Sequence, residues 1–209
     1  MTRLVKTLII VVPLLLIVAC SDPAADKPRA VTSDAAPAAS APVGGERYPI
    51  TPENSKIEFV GSKVTGSHNG SFEKFSGDIT YNGAPEKSRV RITIDLTSVK
   101  TDAAKLTEHL KTADFFDVAK YPTGTFESTE IKSGGATGAT HTITGNLQLH
   151  GVTKAITFPA TLGVTADAVT VDATFSINRK DFGISYAGAS DDLIRDDVVL
   201  KLHVRAPKG

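Results

Sequence analysis

Cysteine is almost absent from this chain, which has one among 209 residues and also lacks tryptophan. A single thiol excludes an intrachain disulfide and a cysteine-rich metal site. The charges balance, with 23 Lys and Arg against 23 Asp and Glu. No basic stripe or run of five like charges occurs, so nucleic acid is not indicated as a partner. The apolar run at residues 8–19 is shorter than the roughly 20 residues of a membrane-spanning helix.

The N-terminus has the layout of a secretory signal peptide over residues 1–19. Arg3 and Lys6 precede the apolar run, which ends in Ile17-Val18-Ala19-Cys20. These last four residues resemble the lipobox of bacterial lipoproteins. The resemblance implies cleavage before Cys20 and acylation of its thiol, with chains such as palmitate. The alternative is that Cys20 is an ordinary residue near a plain signal cleavage site.

A lipoprotein of this kind is expected in the cell envelope, held by its anchor and facing the periplasm. Ser21 favours the outer membrane over the inner membrane. Residues 20–45 are rich in Ala, Pro and Ser and contain no aromatic side chain before Gly44-Gly45. Such a composition buries too little apolar area to fold, which predicts a disordered tether. Residues 46–209 are then long enough for one domain.

From residue 55 onward, apolar and polar residues alternate, as in antiparallel strands that are covered on one face. The pattern predicts eight or nine strands in a sandwich or barrel. Thr101-Asp102 followed by Leu106 and Leu110 predicts one short helix, with Thr101 or Asp102 as its cap. The inward faces carry no charge constellation, so a ligand inside such a barrel should be apolar.

Five sequence blocks, in order, resemble the YceI-like family. They begin with Tyr48 and Ser55-x-Ile57-x-Phe59, and continue with Gly70-x-Phe72-x-x-Phe75-x-Gly77, His109-Leu110-Lys111-x-x-Asp114-Phe115-Phe116 with Tyr121-Pro122, Gly145-x-Leu147-x-Leu149-His150-Gly151, and Ile177-Asn178-Arg179-x-Asp181-Phe182-Gly183. Thr51 departs from the family, which has Asp there. The resemblance implies an all-β fold, an extended antiparallel eight-stranded lipocalin-like barrel with one short helix. It also implies an elongated pocket for a polyisoprenoid, an isoprenoid quinone or another long amphiphile.

Alternation predicts which side chains face the interior of this barrel. We expect the pocket lining to consist of Ile57, Phe59, Ile92, Ile94, Phe116, Phe126, Leu147, Leu149, Phe158, Phe175, Ile177, Leu200 and Leu202. The pattern does not separate the residues that contact a ligand from those that only fill the barrel ends. No cofactor is expected beyond the bound lipid itself.

Several polar and aromatic residues have two interpretations each. His150 either contacts a ligand headgroup at the pocket mouth or is a hairpin residue before Gly151. Arg179 either contacts a headgroup or forms, with Asp181, an ion-paired corner. Phe115-Phe116 either line a ligand portal or plug one end of the barrel.

Three functions remain open from the sequence. The first is a lipid-binding protein, the second an enzyme acting on isoprenoid lipids, and the third a structural or stress-related envelope protein with a filled barrel. The spacing of the five histidines does not favour a metal site, and no nucleophile motif such as Gly-x-Ser-x-Gly is present. We therefore expect no catalytic residue and no metal. A homodimer is possible, and the oligomeric state is not predicted.

Overall fold

The computed structural model describes residues 22–37 and 44–209. The predicted signal peptide and Cys20 lie outside the described residues. The strands are β1 (Val31–Asp34), β2 (Glu46–Ile50), β3 (Ser55–Lys63), β4 (Gly66–Phe72), β5 (Phe75–Tyr81), β6 (Arg89–Asp95), β7 (Val99–Thr101), β8 (Thr123–Ser133), β9 (His141–Leu149), β10 (Val152–Val164), β11 (Ala168–Asn178), β12 (Gly188–Ala189), β13 (Asp192–Leu193) and β14 (Asp197–Pro207); the α-helix is α1 (Ala104–Leu110). Within the described part of the chain, no helix has the length and apolar character needed to cross a bilayer.

Twelve strands form one antiparallel sheet. Eleven of them follow the order β2-β5-β6-β8-β9-β10-β11-β14-β3-β4-β7, and β1 pairs with β10 outside this path. The sheet curls strongly on itself: the Gly209 amide, just past β14, donates to the Arg47 carbonyl of β2 over 3.1 Å. This confirms the predicted all-β class with one helix. The predicted count of eight strands is too low, because short strands such as β1, β2 and β7 lengthen the sheet.

The alternation of apolar residues positions the core as expected. In β11, Phe175 and Ile177 are buried on the concave face, opposite Leu200 and Val198 of β14. Such in-register apolar pairs line the concave side of the curled sheet. The same alternation along the strand places polar side chains such as Thr174 on the convex, exposed face.

β10 and β11 separate along part of their length. Residues 161–164 of β10 pair with β11, whereas residues 154–157 pair with β1 instead. On the other side of the gap, the Ser176 amide of β11 donates to the Pro28 carbonyl over 2.9 Å, and the Ala30 amide donates to the Ser176 carbonyl over 2.8 Å. Residues 28–34, which we call the inserted segment, therefore fill the seam between the two strands.

This insertion corrects the prediction of a disordered tether. For residues 22–37 that prediction is wrong: Ala24 and Ala30 are buried, and the Asn146 side chain bonds both the amide and the carbonyl of Ala36. The Ala-rich segment cannot build a core of its own. The unpaired edges of β10 and β11 instead supply the hydrogen-bond partners that its backbone needs.

Helix α1 lies where it was predicted, but its predicted cap is wrong. No side chain caps the helix at Ala103. The Asp102 carboxylate instead accepts from the Asn69 amide over 2.9 Å and contacts His68 Nδ1 at 2.7 Å, both in β4. Since β4 pairs with β7, the strand that directly precedes Asp102, these contacts tie the start of the helix to the sheet. Both contacts lower the pKa of the Asp102 carboxyl, the Asn69 amide more than His68.

Candidate functional site

The curled sheet encloses a cavity of about 570 Å³. This volume is within the range of small-molecule sites, roughly 300–1,000 Å³. All thirteen residues expected from alternation lie in its lining, namely Ile57, Phe59, Ile92, Ile94, Phe116, Phe126, Leu147, Leu149, Phe158, Phe175, Ile177, Leu200 and Leu202. Which of them contact a ligand stays a prediction.

Aromatic rings form the deep part of the lining. Phe158 and Phe175 stack with ring centroids 4.1 Å apart and planes 12° from parallel. Phe126 contacts Phe158 at 5.8 Å. A second pair, Phe59 and Phe72, lies at 5.7 Å. These ring pairs give the cavity an apolar wall, since each ring packs against a ring of another strand.

One end of the cavity opens between α1 and the loop that carries β12 and β13. Lys105, Tyr186 and Ala189 belong to the lining and are exposed, whereas Phe158 and Phe175 are buried. The Tyr186 ring contacts the His109 ring of α1 at 5.2 Å. We call this end, together with the neighbouring tip of the β3–β4 hairpin, the cavity mouth.

Polar contacts hold the elements of the mouth together. The Lys63 ammonium group at the end of β3 forms an ion pair with the Asp192 carboxylate of β13. Asp192 also accepts from the Thr65 hydroxyl over 2.9 Å. The hydrogen bond from Lys63 is the main cause that lowers the pKa of the Asp192 carboxyl. This network fastens the β12–β13 loop to the β3–β4 hairpin.

Arg179 forms the buried corner that was one of its two predicted interpretations. Its guanidinium donates to the carbonyls of Arg195 (3.1 Å) and Ile184 (2.9 Å) and to the Asp196 carboxylate (3.2 Å). The ionic partner is Asp196 and not Asp181, which corrects the predicted pair. Burial lowers the pKa of Arg179, partly offset by Asp196. Although Arg179 belongs to the cavity lining, its donors are directed to protein acceptors, so the geometry favours a structural role over headgroup binding.

His150 lies outside the cavity lining, so the geometry does not support the predicted headgroup contact. It occupies the β9–β10 turn with a positive φ of 51°. Its Nδ1 atom lies 3.2 Å from the Phe182 carbonyl, and its ring contacts the Tyr121 ring at 5.2 Å. These contacts match the alternative of a hairpin residue that fixes the turn against its neighbours.

Phe115 and Phe116 both belong to the lining and flank the mouth. Phe115 is buried and contacts the Tyr186 ring at 5.5 Å, while Phe116 contacts Phe72 at 5.8 Å. This position agrees better with a portal than with a plug, because the cavity extends past both rings toward the exposed Tyr186 and Lys105.

Several lining residues were not found from the sequence. They lie in α1 and in the loops around β12 and β13, and they include Leu106, His109, Ile184, Tyr186 and Ile194. Period-two alternation cannot identify them, because they are not in long strands. Among residues 22–37 and 44–209, no group of three His, Cys, Asp or Glu side chains is placed to hold a metal ion.

A curled antiparallel sheet around an apolar cavity with one open end defines a barrel-type small-molecule binding fold. The YceI-like domain matches residues 48–206 of this chain. The chain therefore belongs to the YceI-like family.

Curated relatives include proteins from Pseudomonas. A UPF0312 protein of Pseudomonas putida strain W619 is 37% identical over 136 residues, which are 62% of this chain and 70% of that protein. A UPF0312 protein of Pseudomonas aeruginosa strain LESB58 is 40% identical over 122 residues, which are 55% of this chain and 62% of that protein.

Solved structures share the fold. Burkholderia cenocepacia BcnA is 26% identical with a TM-score of 0.64, covering 75% of this chain and 99% of that one. A polyisoprenoid binding domain from Saccharophagus degradans, implicated in plant cell wall breakdown, is 19% identical with a TM-score of 0.62. The match covers 78% of this chain and 98% of that one. The Campylobacter jejuni YCEI protein is 27% identical with a TM-score of 0.56, and the match covers 67% of this chain and 84% of that one.

Proposed function

We propose that this protein binds one long apolar lipid, such as a polyisoprenoid or an isoprenoid quinone, inside the cavity. The observation that carries the proposal is the cavity of about 570 Å³ with its lining of Ile, Leu and Phe side chains. Removal of apolar surface from water favours binding by about 25 cal/mol per Å², before the costs of association. A chain of isoprene units offers a large apolar area, so it needs few polar contacts.

The protein would carry out this binding as an envelope lipoprotein. Acylation of Cys20 would hold it at the membrane, facing the periplasm and at the outer membrane by preference. The signal-peptide pattern and the lipobox resemblance of Ile17-Val18-Ala19-Cys20 support this placement. A carrier held at a membrane can take up, store or protect a lipid that water would not dissolve.

The distribution of titratable groups supports binding over catalysis. Lys63, His109 and Asp192 belong to the lining but lie at the mouth, and Arg179 is held by protein acceptors. The deep wall around Phe158 and Phe175 is aromatic and aliphatic. An enzyme acting on an isoprenoid would need an acid and a base near the reacting atoms. The alternative of a structural envelope protein requires a barrel that is filled by its own side chains, and the cavity of about 570 Å³ disagrees with it.

The first experiment is organic extraction of the protein purified from its own host, followed by mass analysis of the extract. We expect about one long-chain apolar lipid per protein, because a single cavity of this size holds a single chain. An extract without any such lipid, from protein that also fails to bind added polyisoprenoid in detergent, would contradict the proposal.

A variant pair locates the lipid in the cavity. Ile94→Asp places a carboxylate in the cavity lining. A bound apolar chain would have to displace the water that solvates this carboxylate, which is costly. Thr93→Asp is the matched control, because Thr93 is the next residue of β6 and is exposed on the opposite face. We expect Ile94→Asp to lose the co-purified lipid and Thr93→Asp to keep it. Folded Ile94→Asp protein that still carries the lipid would show that the cavity is not the site.

A further inference from the structure

Three of the five large apolar side chains that are exposed in the described residues lie at the cavity mouth, and the other two are Val31 in β1 and Val164 at the β10–β11 hairpin. Val64, at the tip of the β3–β4 hairpin, is 54% exposed, and Leu193 of β13 is 49% exposed. The Val64 amide donates to the Leu193 carbonyl over 3.2 Å, so the two side chains are neighbours. Tyr186, at 37% exposure, lies on the same rim. Single exposed apolar residues are ordinary, but a group around the opening of an apolar cavity indicates a contact surface.

The described chain begins beside this rim. The Asp22 carboxylate forms an ion pair with the Arg195 guanidinium at 3.2 Å, and Arg195 follows Leu193 by two residues. Ala24 packs in a small buried cluster with Val60 and Val199, which holds the start of the segment on the outer face of β3 and β14. The N-terminal segment is therefore fixed to the barrel at the end that carries the mouth.

The position of Asp22 limits how far an anchor at Cys20 lies from the mouth. Two residues of fully extended chain span at most about 7 Å. Acyl chains attached to Cys20 would therefore enter a bilayer close to Arg195 and Leu193. A long flexible tether would have left the orientation of the barrel free, whereas the inserted segment does not.

We propose that the cavity mouth docks on the lipid bilayer, with Val64 and Leu193 inserted at its surface beside the acylated Cys20. The cavity then opens toward the membrane, and a lipid passes between bilayer and cavity without crossing water. This inference rests on the proposed function. The partner is a lipid bilayer, because the rim presents the apolar side chains of Val64 and Leu193 outward and Lys63, beside Val64, forms an ion pair with Asp192.

The test measures which end of the barrel touches lipid. The full chain with its acylated Cys20 is reconstituted in phosphatidylcholine vesicles after Val64→Cys or Leu193→Cys substitution and labelling with an environment-sensitive fluorophore. Val164→Cys is the matched control, since Val164 is an equally apolar residue, 39% exposed, at the β10–β11 hairpin. That hairpin lies at the other end of β11 from Arg179, about 30 Å away at 3.3 Å per residue.

Brominated phosphatidylcholine should quench the fluorophore at positions 64 and 193 and leave the one at position 164 unchanged. Equal quenching at all three positions, or quenching at position 164 alone, would overturn the docking proposal. Absence of quenching at every position would also overturn it.

A second measurement separates docking from binding. Leu193→Asp and its control Val164→Asp are compared in the uptake of a fluorescent polyisoprenoid, first from vesicles and then from detergent micelles. We expect Leu193→Asp to slow uptake from vesicles while the amount bound from detergent stays that of the wild type, because Leu193 is not in the cavity lining. If Leu193→Asp takes up the lipid from vesicles as fast as the wild type, the docking proposal is contradicted and the proposed function is not. Failure of the wild type to bind from detergent contradicts the proposed function.

Discussion

A proline at position 30 should detach the inserted segment from the barrel wall. The Ala30 amide donates to the Ser176 carbonyl over 2.8 Å, and proline has no amide hydrogen to replace it. Ser176 is only 1% exposed, so its carbonyl would lose a partner that water does not readily replace. Leaving a buried acceptor without a partner costs about 1–3 kcal/mol.

The assay is native-state hydrogen exchange of the Ser176 amide, which donates to the Pro28 carbonyl over 2.9 Å. This amide should exchange when the segment leaves the seam. A cost of about 1–3 kcal/mol corresponds to exchange about 5- to 150-fold faster in Ala30→Pro, at 1.4 kcal/mol per factor of ten. Ala30→Gly keeps the amide and costs about 0.5–1 kcal/mol, or about 2- to 5-fold.

Amides of β6 and β8, remote from the seam, should exchange at the wild-type rate in both variants. The reasoning is refuted if the Ser176 amide exchanges equally fast in wild type and Ala30→Pro. It is refuted as well if this amide already exchanges in the wild type as fast as an exposed one, because the segment would then not occupy the seam.

Two further predictions concern the cavity wall and the mouth. Gly70→Ala should weaken binding of an apolar fluorescent probe, because the new Cβ would lie 2.1 Å from Phe59 Cζ and push that ring into the cavity; Gly66→Ala, with open space around its Cβ, should bind as the wild type does. Equal affinity for the two variants would contradict this. The hydrogen bond from Lys63 lowers the pKa of Asp192 below 3.8. The stabilising contribution of this ion pair is therefore complete above about pH 5 and is lost as the pH falls through the lowered value. A fluorophore at the mouth should report loosening in that acid range, and Asp192→Asn should abolish the transition; an unchanged transition in the variant would assign it to another group.

The alternation of apolar residues was enough to predict much of the cavity wall. Ile92 and Ile94 in β6, like Leu200 and Leu202 in β14, face the same side because successive side chains of a strand point to opposite faces. This rule is local, so it holds whichever strand lies next to them. The same locality predicted helix α1 from Leu106 and Leu110.

The prediction of a disordered tether from composition was wrong for the segment before the barrel. Residues 22–37 have too few large apolar side chains to fold alone, and the sequence contains no sign that β10 and β11 separate. Their order comes from partners far along the chain, such as Ser176 for Ala30 and Asn146 for Ala36. Ala30 is buried at this seam although its side chain is small.

By itself, the sequence determined the strands, the faces they present and the apolar character of the interior, because each follows from the order of neighbouring residues. Only the tertiary structure decided where the mouth opens, that Arg179 pairs with Asp196, and that the N-terminal segment joins the wall. These features depend on contacts between segments that are distant in the chain, and such contacts, including the pairing of open strand edges, leave no period in the sequence.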